Sequence, residues 1–165
     1  MNLLDCIPKS CCKVANALLN GSWKGLVLVI ETTTELVLAS RIESIGMAAE
    51  IAAKFLSQFG AGDDVVFAVD MAIREAVTNA VIHGNKQDGN KNVVVSFSKS
   101  ANALEIQVRD QGHGFDPEGV ADPTDPRNLL KSSGRGILFM RTFMDEVEWL
   151  AHDEGGTVVR MTKRL

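Results

Sequence analysis

Between Lys91 and Asp110 the sequence alternates apolar and polar residues twice, in KNVVVSFSKS (91–100) and ALEIQVRD (103–110). Side chains alternate sides along a strand, so each run has one apolar face and one polar face. The connection between them, SAN, is too short for a crossover, so the two runs form an antiparallel hairpin. A hairpin with one apolar face needs a second layer to cover it.

The preceding residues supply that layer. RIESIGMAAEIAAKFLSQFG (41–60) repeats apolar residues at Ile45, Ala48, Ala49, Ala52, Phe55, Leu56 and Phe59, and Gly60 ends the pattern. After the turn AGDD, with Asp63 or Asp64 as the N-cap, a second helix is predicted from Val65 to His83, ending at Gly84. Its stripe is Val65, Val66, Val69, Ala72, Ile73, Ala76, Val77 and Ala80. LVLVIETTTELVLAS (26–40) reads as extended. GRGILFMRTFM restarts a helix, and DEVEWLAH and GGTVVRMTKR read as a final hairpin. Segment 111–133 holds Pro117, Pro123 and Pro126 without periodicity, and a loop of that length in a compact domain is functional or disordered. The expected architecture is an α/β (α+β) two-layer sandwich: a mixed, mostly antiparallel sheet with helices on one face. Residues 1–29 look unlike the rest and are set apart as an N-terminal extension, with the domain at 30–165.

The chain has 165 residues and a formal charge of −4, with no concentrated basic face, which argues against a nucleic-acid or membrane-surface partner. No apolar run approaches the roughly 20 residues that span a bilayer, and no signal peptide is evident, so a cytoplasmic location is expected. Cys6, Cys11 and Cys12 crowd the first dozen residues. An odd number with two adjacent is a poor disulfide framework, and no nearby His completes a metal site.

Four features carry chemistry. In REAVTNAVIHGN (74–85), Glu75, Asn79 and His83 follow one another at four-residue spacing beside the apolar stripe. They are a solvated helix edge or one wall of a site: an amide oxygen can ligate Mg²⁺, and a carboxylate can deprotonate a nucleophile. His83 reads as a C-terminal cap. Asp110 continues the inward face of Leu104, Ile106 and Val108, where a carboxylate needs a partner. DQGHGFD follows, with Gly112 and Gly114; this is a capped loop start or a close approach to a ligand. In SSGRGILF, Gly134 and Gly136, with Arg135 between them, lead into a helix, either as a hinge or as a phosphate site at a helix N-terminus. Thr157 shares an inward face with Val159 and Met161, where its hydroxyl needs a hydrogen-bond partner. The P-loop pattern GxxxxGK[ST] is absent, and Pro117 stands where a dinucleotide fingerprint would place its third glycine.

Taken in order, these pieces resemble the Bergerat ATP-binding fold shared by gyrase, histidine kinases and mismatch-repair ATPases. EAVTNAVIHGN, VRDQGHGFDP, GRGILFMRTFMDEV and GGTVVRM are most similar to bacterial anti-sigma factor serine kinases, over about residues 35–163. The resemblance implies ATP and Mg²⁺ as cofactors. It implies Asp110 as acceptor for the adenine amino group, supported by Thr157, and Asn79 as the Mg²⁺ ligand. It implies Gly112, Gly114, Gly134, Arg135 and Gly136 around the phosphates, residues 115–133 as a lid, and Glu75 as general base. The implied function is an anti-sigma factor that phosphorylates an anti-sigma-factor antagonist on serine or threonine. A sigma factor and that antagonist are the implied partners, and a homodimer the implied assembly. The other reading is a non-catalytic, ATP-binding partner-switching regulator. A histidine kinase fits poorly, because the first 40 residues contain no His and no long two-helix pattern.

Overall fold

The computed structural model describes residues 32–115 and 135–165. The expected strand residues 26–31, the extension 1–29 with its cysteines, most of the expected lid and Gly134 lie outside the described residues.

Five strands make one sheet: β1 (Thr32–Ala39), β2 (Asn92–Lys99), β3 (Ala103–Arg109), β4 (Glu146–Ala151) and β5 (Thr157–Arg164). Their order is β1-β2-β3-β5-β4, and every pairing is antiparallel, so no parallel pair mixes the sheet among the described residues. The predicted alternation is what fixes the register. Phe97 pairs with Ile106 and Val95 with Val108; Ile106 in turn pairs with Met161 and Val108 with Val159. These six side chains are buried and line one face of the sheet. The opposite face carries Ser96, Gln107 and Arg160, all half-buried. A slip of one residue would exchange the two faces, so burial specifies the pairing.

Three helices cover the apolar face: α1 (Glu43–Ser57), α2 (Asp63–Thr78) and α3 (Arg135–Phe143). Ala48, Ala49 and Ala52 of α1 and Ala68, Ala72 and Ala76 of α2 are buried. Such small side chains let helix backbones approach each other closely, with Phe55, Leu56, Val69, Ile73 and Val77 filling the space above the sheet. Phe55 stacks on Phe97 with ring centroids 5.5 Å apart, joining helix layer to sheet. Met140 and Met144 bring α3 and its exit into the same core.

Helix boundaries differ from the sequence reading in three places. The cap of α2 is Gly62, and neither Asp63 nor Asp64 caps it; both occupy the first turn, where the helix dipole favours a carboxylate. Helix α1 ends at Ser57, and the chain turns through Gly60 at φ +64°. Helix α2 is followed directly by a π-helical turn, Asn79–Gly84, in which Asn85 N–H donates to the Ala80 carbonyl five residues back.

Candidate functional site

The π-helical turn runs beside the ends of β3 and β5, and a cavity of about 320 Å³ opens there. Ala80, Val108, Ile137, Trp149 and Val159 form its apolar walls, and Asn79, His83, Asp110 and Thr157 its polar points. An apolar slot with few polar groups is the usual form of a small-molecule site.

Asp110 and Thr157 meet because β3 and β5 are neighbours and both side chains continue inward faces. They are 6% and 4% exposed. The two strands close at this point through Asp110 N–H to the Thr157 carbonyl, at 3.0 Å. Asp110 Oδ1 accepts from Gly112 N–H at 2.7 Å and from Thr157 N–H at 3.2 Å. Oδ2 has no donor among the described residues. Asp110 lines the cavity, so Oδ2 is an acceptor available to the N–H of a bound molecule. The Thr157 hydroxyl likewise makes no hydrogen bond with the described residues and borders the same space.

Backbone packing around Asp110 is close. A Cβ on Gly84 would fall 2.5 Å from Asp110 Cγ. Gly156 lies against the Asp110 carbonyl with φ +91°, which only glycine adopts without strain. Gly114, also left-handed at φ +94°, borders the cavity together with Phe115.

The other group of expected residues gathers where α2 meets α3. Glu75 and Asn79 are half-buried and lie one turn apart. A Cβ on Gly136 would fall 2.5 Å from Glu75 Oε2 and 3.6 Å from Asn79 Nδ2. Gly136 is therefore the point at which the first turn of α3 touches both. Asn79 and Gly136 border the cavity, whereas Glu75 stands just outside its lining. Arg135 opens α3 and is exposed. His83 stands in the last turn of the π-helix, as its sequence reading has it, but its ring makes no hydrogen bond to a carbonyl among the described residues; it is exposed and borders the cavity.

Two residues of the site were not read from the sequence. Trp149 carries the Arg141 guanidinium over its ring at 5.2 Å. The strand pattern of DEVEWLAH could have placed it inward with Val147. Gly156 left no such signal, since its place against the Asp110 carbonyl depends on a segment distant in the chain.

The residues present fit a nucleotide. Asp110 Oδ2 and the Thr157 hydroxyl have no hydrogen-bond partner among the described residues, and Ala80, Val108, Ile137 and Val159 make the cavity beside them apolar. Groups of three or more His, Cys, Asp or Glu able to hold a metal by themselves are absent among the described residues. The Asn79 amide oxygen is the hard donor type that Mg²⁺ would accept.

Comparison with known proteins agrees. Residues 38–163 match the family model described as histidine kinase-like ATPase domain. The anti-sigma F factor of Bacillus licheniformis is 34% identical over 68% of this chain and 79% of its own length. The anti-sigma F factor of Oceanobacillus iheyensis is 33% identical over 79% of this chain and 90% of its own. The crystal structure of the RsbU and RsbW domains of a Mycobacterium tuberculosis protein shares the fold at TM-score 0.60 and 21% identity, covering 81% of this chain and 32% of that one. An ATPase domain implies ATP as ligand. With a buried carboxylate waiting at one end of that cleft and relatives matched over most of their length, this chain belongs to the histidine kinase-like ATPase domain family, among the anti-sigma F factors.

Proposed function

We propose that this anti-sigma factor is a Mg·ATP-dependent serine/threonine protein kinase whose substrate is an anti-sigma-factor antagonist, and that it holds a sigma factor as its other partner. The observation that carries this reading is the spacing of two groups along one helix. Gly84 lies against Asp110, while Asn79 and Glu75 lie against Gly136. The nine steps from Glu75 to Gly84 span at most about 13 Å at the α-helical rise of about 1.5 Å each, on the scale of an extended nucleoside triphosphate.

In this reading Asp110 Oδ2 accepts the adenine amino group and Thr157 supports the base, while Ala80, Ile137 and Val159 exclude water from its faces. Gly112 and Gly114 shape the loop that leads to the lid, 115–133. Asn79 holds Mg²⁺, which neutralises phosphate charge when bound. Arg135 and Gly136, at the start of α3, present backbone N–H groups to the phosphates, and Gly134 belongs to the same phosphate-binding group. Glu75 takes the proton of the substrate hydroxyl. Residues 30–165 form the ATPase domain and 1–29 an extension, and two copies assemble as a dimer in the cytoplasm. Among the described residues no helix is long and apolar enough to cross a membrane.

A non-catalytic, ATP-tuned regulator has one observation in its favour, the position of Glu75 outside the cavity lining. Glu75→Ala separates the two. In a kinase, phosphate transfer from ATP to the antagonist falls about 10²–10⁴-fold, while ATP affinity measured by calorimetry stays near wild type. Unchanged transfer removes Glu75 from the role of base.

A further inference from the structure

Asn85 has no part in the site as described, yet it is only 1% exposed. An amide buried to that degree needs partners at both ends. Its Nδ2 donates to the Asn92 carbonyl at 2.9 Å, and its Oδ1 accepts from Gln111 N–H at 2.7 Å. Gln111 closes the circuit, its Oε1 accepting from Asn92 N–H at 2.7 Å. Three hydrogen bonds thus form a ring through the exit of the π-helical turn, the start of β2 and the loop leaving β3.

The ring spans the place where two backbones cross at Asp110. Gly84 precedes Asn85, and Asp110 precedes Gln111. A Cβ on Gly84 would lie 2.7 Å from Asp110 Oδ2, and one on Gly112 would lie 2.5 Å from the Gly84 carbonyl oxygen. With so little clearance, a shift at Asn85 reaches the carboxylate directly. Securing the turn before β2 requires only the bond to Asn92, seven residues away. The bond to Gln111 spans 26 residues and ends beside Asp110.

We infer that Asn85, with Gln111, is a positioning residue that aims Asp110 Oδ2 and so sets the preference for adenine over guanine. This rests on the ATP reading of the cleft. Adenine carries an amino donor at C6 and guanine a carbonyl acceptor. A carboxylate oxygen accepts from the first and repels the second. Loosening Asp110 weakens ATP and relieves the repulsion of GTP, so the ratio of the two affinities falls. A residue that merely stabilised the fold would weaken both ligands equally.

The experiment is calorimetric titration of the full chain with Mg·ATP and with Mg·GTP, for wild type, Asn85→Ala and Gln111→Ala, with thermal unfolding of each. Asn85→Ala is expected to lower the ATP-to-GTP affinity ratio about tenfold, the worth of one or two lost hydrogen bonds. Gln111→Ala, an exposed site that leaves no buried group behind, is expected to lower it by a smaller factor. Equal weakening of both nucleotides, or no change, in a folded Asn85 variant overturns the inference. If Asn85→Ala does not fold, Asn85→Ser, whose shorter side chain withdraws from Gln111 N–H, decides by the same ratio, because Gln111→Ala removes only the side-chain bond to Asn92 N–H. Failure of the wild type to bind ATP overturns the reading of the cleft instead, and is seen before any variant is compared.

Discussion

At the scale of single residues, the site depends on where side chains are absent as much as on where they are present. Gly156 combines a left-handed φ of +91° with a Cβ position that would overlap the Asp110 carbonyl. Gly156→Ala should therefore cost about 2–4 kcal/mol in urea unfolding, the sum of backbone strain and overpacking, and should remove ATP binding with it. A loss below about 0.5 kcal/mol would mean that the crossing at Asp110 yields easily. Gly136 differs because what stands against it is the end of a flexible side chain, Glu75 Oε2. Gly136→Ala can be accommodated by turning that carboxylate, so stability should change little while phosphate transfer falls. Transfer at the wild-type rate would show that the carboxylate need not hold its present position. Asp110 and Thr157 were legible in the sequence, because period-two counting carries each beyond a run of apolar neighbours into the interior. Gly156 was not: its constraint comes from Asp110, 46 residues earlier, and no local pattern records that.

At the scale of elements, strands and helices followed from periodicity, whereas the winding of one helix did not. The apolar stripe continues through Val77, Ala80 and Val81, and a regular helix accounts for it as well as the observed change to π-helical geometry at Asn79. What distinguishes them is the exit: Lys86 and Gln87 both adopt left-handed φ, 57° and 56°, and Asn85 is held by Gln111 across the fold. Those are tertiary demands. The link between α3 and β4 is similarly a matter of distant contacts. Asp145 N–H donates to the Thr162 carbonyl, Asp145 Oδ2 accepts from Arg164 N–H at 2.7 Å, and Lys163 Nζ donates to the Phe143 carbonyl at 2.9 Å. The Arg164 N–H, ahead of the charges of Lys163 and Arg164, holds the Asp145 carboxyl below its usual value of 3.8, against the opposing effect of burial. A depressed carboxylate contributes stability that is complete above its unfolded value, near pH 4, and is lost as pH falls through the lower folded value. Asp145→Asn should then be less stable than wild type at pH 7, by no more than about 1 kcal/mol for a solvent-facing group. The difference should narrow below about pH 4. A gap constant from pH 7 to pH 3 would show that the carboxylate charge contributes nothing.

At the scale of the whole molecule, the cleft and the core share their elements. Helix α2 buries Ala72, Ile73, Ala76 and Val77 in the core while presenting Glu75 and, just beyond its end, Asn79 to the site. Strands β3 and β5 bury Ile106 and Met161; Asp110 follows the end of β3, and Thr157 begins β5. A ligand in the cleft therefore touches the elements that hold the sheet to the helices, and it is lost whenever they separate. Binding to the folded state alone adds stability that grows with ligand concentration, about 2.7 kcal/mol at one hundred times the dissociation constant. For a domain of this size that corresponds to a rise in Tm of about 5–10 °C. Mg·ATP should produce such a rise in the wild type as followed by near-ultraviolet circular dichroism. Asp110→Asn, which replaces an oxygen acceptor at little change in volume, should fold but lose most of the rise. Equal rises in both proteins would place the adenine away from Asp110. A rise seen only in the wild type would show that this one carboxylate oxygen, buried where two strands meet, couples nucleotide binding to the stability of the domain.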